Sequence, residues 1–135
     1  MRLKEASFSV FDVETTGLFP YSGDKICEIG ALRVSPDGDT ATFGTLVDPE
    51  RPLSPEAMSV NGITPDMLRG APAIDDVLPE FLEFVKGSVL VAYNAPFDLG
   101  FIECALGSDA DSLRYFKVID ALRLARLLFP GLSRY

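Results

Sequence analysis

Asp12 and Glu14 stand one residue apart in FDVETTGL, residues 11–18, at the end of an apolar run of strand length. In a strand, residues i and i+2 point to one face about 6.6–7 Å apart. Phe8, Val10, Asp12 and Glu14 therefore share a face, with apolar residues leading into an acidic end. Read as a buried strand, the run places two carboxylates where burial is costly without a partner. They also repel each other, so one keeps its proton unless a cation intervenes. Hard divalent ions such as Mg²⁺ prefer an all-oxygen site of this kind. Two ions roughly 3.5–4 Å apart fit the spacing, with one carboxylate bridging. On its own, a D-x-E near a strand end is more often a solvated face.

A third acid, Asp98, closes AYNAPFD, residues 92–98. Asn94 ends an apolar strand, Pro96 sits where a helix begins, and Asp98 falls in that helix's first turn. Capping and a favourable dipole interaction account for an acid there. Strand ends that run into helix N-termini are also where open α/β sheets place their sites. Asp12, Glu14 and Asp98 meet in one crevice if their strands are neighbours.

The rest of the composition narrows the chemistry. The chain has 135 residues, 47% apolar and 24% charged, which suits one soluble globular domain. It contains no histidine, which removes the commonest general base and zinc ligand. Cys27 and Cys104 lie far apart without a metal-knuckle spacing and read as reduced core thiols of a cytoplasmic protein. No run approaches membrane-span length, and the N-terminus lacks a signal-peptide layout. The net charge of −8 argues against a broad phosphate-binding surface. It leaves nucleic acid open as a substrate, because a cation-binding site must itself be acidic.

The elements that must position these acids follow from patterning. SFSVFDVE, KICEIGALRV and TATFGTLVD read as three strands joined by turns, an antiparallel ribbon. SPEAM and TPDML each read as a short helix, capped by Ser54 or Thr64 and ended by Gly62 or Gly70. A longer helix spans Asp76 to Lys86 with the stripe Val77, Leu78, Phe81, Leu82 and Val85; Pro79 falls in its first turn and Gly87 stops it. SVLVAYN is a buried strand, LGFIECAL a helix, GSDADS a loop, and FKVID a short strand. ALRLARLLF is a helix with Leu122, Ala125 and Leu128 or Phe129 facing inward. The sum is an α/β mixed sheet with an antiparallel edge and flanking helices.

The blocks FDVETTGL, VNGITPDML, VAYNAPFD and VIDALRLARLLFPGLSRY, in that order, resemble the DEDD-type 3′–5′ exonucleases. The branch they are most similar to is the proofreading epsilon subunit of bacterial DNA polymerase III. The resemblance covers Phe8 to Tyr135, so residues 7–135 are expected to form the exonuclease domain. It implies a ribonuclease-H-like fold and metal-dependent hydrolysis at the 3′ end of DNA, in preference to RNA, single-stranded or frayed. It further implies two Mg²⁺ or Mn²⁺ ions on Asp12, Glu14 and Asp98. Thr15, Thr16, Gly17 and Leu18 match the segment that contacts the 3′-terminal nucleotide, with backbone N–H groups and with Leu18 as a wedge against the base. Asn94 matches a residue that supports the site, and a DNA polymerase subunit is the implied partner.

The sequence also departs from the family. Asn61 and Tyr93 stand where relatives commonly have histidine. The family's last block, a helix with a histidine five residues before a fourth acid, is not in this sequence, so the domain reads as C-terminally incomplete. Loss of a general base costs roughly 10²–10⁴-fold. An apolar patch is expected where that helix would cover the sheet. Two readings stand: a 3′–5′ exonuclease, or a catalytically incomplete module that binds metal or a partner without turnover.

Overall fold

The computed structural model describes residues 2–135. Strands β1 (Ser7–Thr15), β2 (Ile26–Val34), β3 (Thr40–Leu46), β4 (Ser88–Ala92) and β5 (Val118–Asp120) form one sheet in the order β3-β2-β1-β4-β5. Residues 16–25, which include a 3-10 turn at Pro20–Ser22, join β1 to β2, a tight turn at 35–39 joins β2 to β3, and each of these strands pairs antiparallel with its neighbour in the chain. β4 and β5 run parallel to β1, as strands reached through helical crossovers do. The helices are α1 (Pro55–Asn61), α2 (Ile74–Val85), α3 (Ala95–Leu106) and α4 (Ala121–Leu128).

Alternation along β1 sends Ser9, Phe11, Val13 and Thr15 to a covered face, and Val10 and Asp12 to an open one. Val77, Leu78, Phe81 and Val85 of α2, with Phe101 and Ile102 of α3, pack on the covered face around Phe11, Ile29 and Leu90. Phe81 lies between Phe11 and Phe43, with ring centroids 5.7 and 6.0 Å away. A smaller cluster of Cys27, Leu53, Ile63 and Leu68 sits beneath α1. The first strand is therefore not buried on both sides. Its acids lie on the open face, where the burial cost is smaller than a fully enclosed strand implies.

Several other expectations change. TPDML is not a helix: Met67, Leu68 and Arg69 bond back to Thr64, Pro65 and Asp66, a run of i→i+3 turns. Gly70, at φ 74°, ends that run before i→i+4 bonding can establish itself. Helix α2 begins at Ile74, so Pro79 lies in its second turn. The start is set by extended backbone, since Asp48 bridges Ala73 and its N–H bonds to Pro72 O. GSDADS belongs to a 3-10 segment, Gly107–Tyr115. Leu128 and Phe129 do not face inward; both are exposed, and only Leu122 and Ala125 of the expected stripe are partly covered. The other elements match their expected positions to within a few residues.

Candidate active site

β1 brings Asp12 and Glu14 to the open face opposite Gly30 and Glu28 of β2. A bulge follows: Glu14 pairs with Glu28 but Thr15 pairs with Ile26, so Cys27 is an extra residue and drops into the small apolar cluster. Bulges recur beside active sites because they re-aim the chain locally. Here the bulge marks where β1 leaves the sheet and enters the Thr16–Phe19 loop.

Asp98 reaches β1 because β4 is short. The ladder between them runs only from Ser7–Ser88 to Val10–Val91, which leaves the edge of β1 beyond Val10 unpaired on that side. The chain leaves β4 through Asn94, held at φ 61° and ψ 55°, and starts α3 beside that free edge. Asp98, in the first turn, accepts the Val13 N–H at 3.1 Å through Oδ1. Its carboxylate completes the backbone bonding of β1 and also meets its own N–H in the first turn of α3.

Asp98 is 2% exposed. Burial pushes its pKa up to about 7; the Val13 N–H opposes this, and the nearby Asp12 carboxylate adds to it. Glu14 is also raised, first by burial, then by Asp12 and Glu28. Asp12 thus faces both other acids. Among the described residues, the ion pairs involve none of the three. Negative charge has been concentrated without a cationic side chain to offset it.

The donor set suits a hard divalent ion. It offers only carboxylate oxygens, and two of its members, Glu14 and Asp98, are held toward the protonated form by burial and by Asp12. Among the described residues, no group of three or more acids, histidines or cysteines closes around one point.

Beside the acids lies a cleft of about 440 Å³, lined by Glu14, Leu18, Phe19, Val60, Asn61 and Phe97 among others. Leu18 is 67% exposed at its mouth, so it does not pack beneath its own turn. Thr15 and Thr16 are buried, and their hydroxyls are engaged: Thr15 Oγ1 donates to Gly17 O at 2.6 Å and Thr16 Oγ1 to Asp24 at 3.0 Å. Both hydroxyl protons are directed to groups of the same loop region, which helps to set its shape. Asn94 contributes its left-handed turn and a backbone N–H bonded to Asp120 Oδ1 at 3.0 Å.

Four residues with structural or electrostatic parts here were not singled out for them in the sequence. Glu28 adds a further negative charge, signalled only by its register with Glu14. Asn61 is more than a replaced histidine: its Nδ2 donates to Thr15 O at 3.2 Å while Oδ1 accepts the Ile63 N–H at 2.9 Å, tying the end of α1 to the end of β1. Asp24 and Asp120 look like a turn former and a strand end. Both accept backbone N–H groups at the site, a role without a sequence signature.

The comparisons with known proteins agree with this geometry. The Exonuclease (RNase_T) family profile matches residues 9–135. The chain is 39% identical over 132 residues to the DNA polymerase III epsilon subunit of Treponema pallidum, covering 98% of this chain and 61% of that one. It is 44% identical over 127 residues to the PolC-type DNA polymerase III of Clostridium perfringens, covering 94% of this chain but 9% of that one. It therefore spans less than two thirds of the length of either relative. Among solved structures, Exonuclease X in complex with 5′ overhanging duplex DNA superposes with a TM-score of 0.68 at 32% identity, covering 95% of this chain and 68% of that one. E. coli Exonuclease I in complex with an oligonucleotide has a TM-score of 0.80 at 18% identity, covering 95% and 32% respectively, and supports the ribonuclease-H-like fold alone. On the extent of the profile match and the identity to these relatives, the chain belongs to the exonuclease family.

Proposed function

We propose that this domain removes nucleotides one at a time from the 3′ end of single-stranded or frayed DNA, using Mg²⁺ or Mn²⁺ held by Asp12, Glu14 and Asp98. The observation that carries the reading is Asp98: a nearly buried carboxylate, delivered by α3 onto the free edge of β1 beside Asp12, with no cationic side chain to balance it. Bound divalent ions supply Lewis acidity, lowering the pKa of water and offsetting charge on a departing 3′ oxygen. The chain's own residues then divide the work. Asp12, Glu14 and Asp98 hold the ions at the end of β1. Leu18, Phe19, Val60 and Phe97 offer an apolar cleft to the terminal base, which is gripped by stacking and shape without sequence readout. Thr15, Thr16 and Gly17 fix the cleft wall, and Asn94 fixes the turn that aims Asp98.

A net charge of −8 gives the domain little long-range attraction for DNA. The similar proteins named as polymerase III chains are longer than this one. Both facts favour delivery of the 3′ end by an associated DNA polymerase. A second reading rests on the absence of histidine from these residues: the domain binds ions and a DNA end without turnover, because its strongest candidate proton acceptors are also its ligands.

Shortening of a 5′-labelled single strand with Mg²⁺ or Mn²⁺ separates the outcomes. Stepwise loss from the 3′ end that disappears in Asp12→Ala supports the enzyme. Binding of Mn²⁺ and DNA without shortening supports the second reading. Equal shortening by wild type and Asp12→Ala rejects the assignment of the acids.

A further inference from the structure

Asp24 lines the same cleft as Glu14, and its carboxylate ties the Thr16–Phe19 loop at both ends. Oδ1 accepts the Thr16 hydroxyl at 3.0 Å, and Oδ2 accepts the Phe19 N–H at 3.1 Å. Thr16 Oγ1 in turn accepts the Lys25 N–H at 3.0 Å, and the Asp24 N–H bonds to Phe19 O at 3.1 Å. Arg51 Nη1 stands 3.7 Å from Asp24 Oδ1. From the other side, Ser54 Oγ meets Thr16 O at 3.5 Å while capping α1 through the Ala57 N–H. Gly17 is packed so closely that a Cβ added there would overlap the Asp24 carboxylate. No left-handed backbone accounts for that glycine, so the need is for space.

We propose that Asp24 is a positioning residue for the terminal nucleotide. Its carboxylate holds Thr16–Phe19 in the shape that forms one wall of the cleft, so affinity for a nucleotide depends on it while affinity for the ions does not. The inference rests on the exonuclease reading and extends it to a residue outside the acid set. Hydrogen bonds to a charged acceptor are among the stronger ones in proteins, and two of them converge here on one short loop.

The test uses the full chain with Mn²⁺ and thymidine 5′-monophosphate as the probe, so no turnover is needed. Asp24→Ala is expected to weaken nucleotide binding by about tenfold while Mn²⁺ affinity stays within about twofold of wild type. Amide exchange at Phe19 should accelerate in that variant, with Ile29 and Phe81 in the core unchanged. Asp24→Asn keeps one oxygen for the Phe19 N–H and should recover part of the binding. Gly17→Ala should weaken nucleotide binding in the wild-type background and cost less beside Asp24→Ala, where the overlapping carboxylate is gone. Unchanged nucleotide binding in Asp24→Ala overturns the proposal. So does a loss shared equally by nucleotide, Mn²⁺ and core protection, which makes Asp24 a general stabiliser. A wild-type chain that binds Mn²⁺ but no nucleotide overturns the exonuclease reading instead, and Phe19 exchange then decides the bracing role separately.

Discussion

Asp98 shows what concentrating carboxylates costs the folded chain. Unfolded, it titrates near 3.8; folded, its pKa is pushed up to about 7. Between those values the folded state binds a proton that the unfolded state has released, so stability falls as pH rises through that window. One such group contributes about 1.4 kcal/mol per pH unit. Glu14, raised for the same reason, acts in the same direction. Without divalent ions, the thermal midpoint is expected to drop between pH 5 and 7, and Asp98→Asn should flatten much of that slope while its amide oxygen still accepts the Val13 N–H. Mn²⁺ needs the ionised acids, so its affinity and its stabilising effect should increase from pH 6 to pH 8 in wild type and little in Asp98→Asn. A scan of unfolding against pH with and without Mn²⁺ reads both effects. Asp12 and Glu14 stand out in the sequence as paired acids after an apolar strand and Asp98 as an acid opening a helix after another, but only the resemblance of their blocks to the exonucleases joins the three. Asp24 does not: in SGDK it looks like any turn residue, and its importance lies in which backbone groups it meets.

At the scale of elements, the site depends on two strand ends joined to two helix starts by one carboxylate. Asp120 Oδ1 accepts the Asn94 N–H at 3.0 Å and the Leu122 N–H at 3.1 Å, so it caps α4 and pins the turn that launches α3. Asp120→Ala should destabilise the chain by about 1–2 kcal/mol, measured as a shift of the urea midpoint. Because that turn aims Asp98, Mn²⁺ affinity should fall as well. Asn94→Gly should be close to neutral, since glycine adopts the left-handed turn freely, whereas Asn94→Val should be the most damaging change there. Helix α1 was legible because its signals are local: Ser54 accepts the Ala57 N–H, and Gly62 takes φ 70° at the C-cap. The start of α2 was not, because Ala73 provides no side-chain cap and the boundary comes from a bridge to Asp48, distant in sequence. TPDML shows the opposite failure, in which correct capping chemistry precedes too few residues to propagate a helix.

At the scale of the molecule, one side of the sheet is covered by α2 and α3, while Val10 and Leu32, paired directly across β1 and β2, are 45% and 39% exposed. On α4, Leu124, Leu127 and Leu128 form an i, i+3, i+4 stripe that is also exposed. Strand order and the covered side depend on long-range pairing, which no local pattern encodes, so the sequence yields the mixed sheet without showing which face stays open. Exposed apolar surface of this kind promotes association. The isolated chain is therefore expected to bind a hydrophobic dye in its native state and to sediment faster as concentration rises. Replacing Leu127 and Leu128 with lysine should reduce both effects. Neither side chain is in the core, so the accompanying change in unfolding free energy should stay within about 0.5 kcal/mol for each site. Dye binding and sedimentation that persist unchanged in the double variant would place the sticky surface elsewhere, with the Val10–Leu32 strip as the next to test. A large loss of stability would instead show that the α4 stripe is covered in solution.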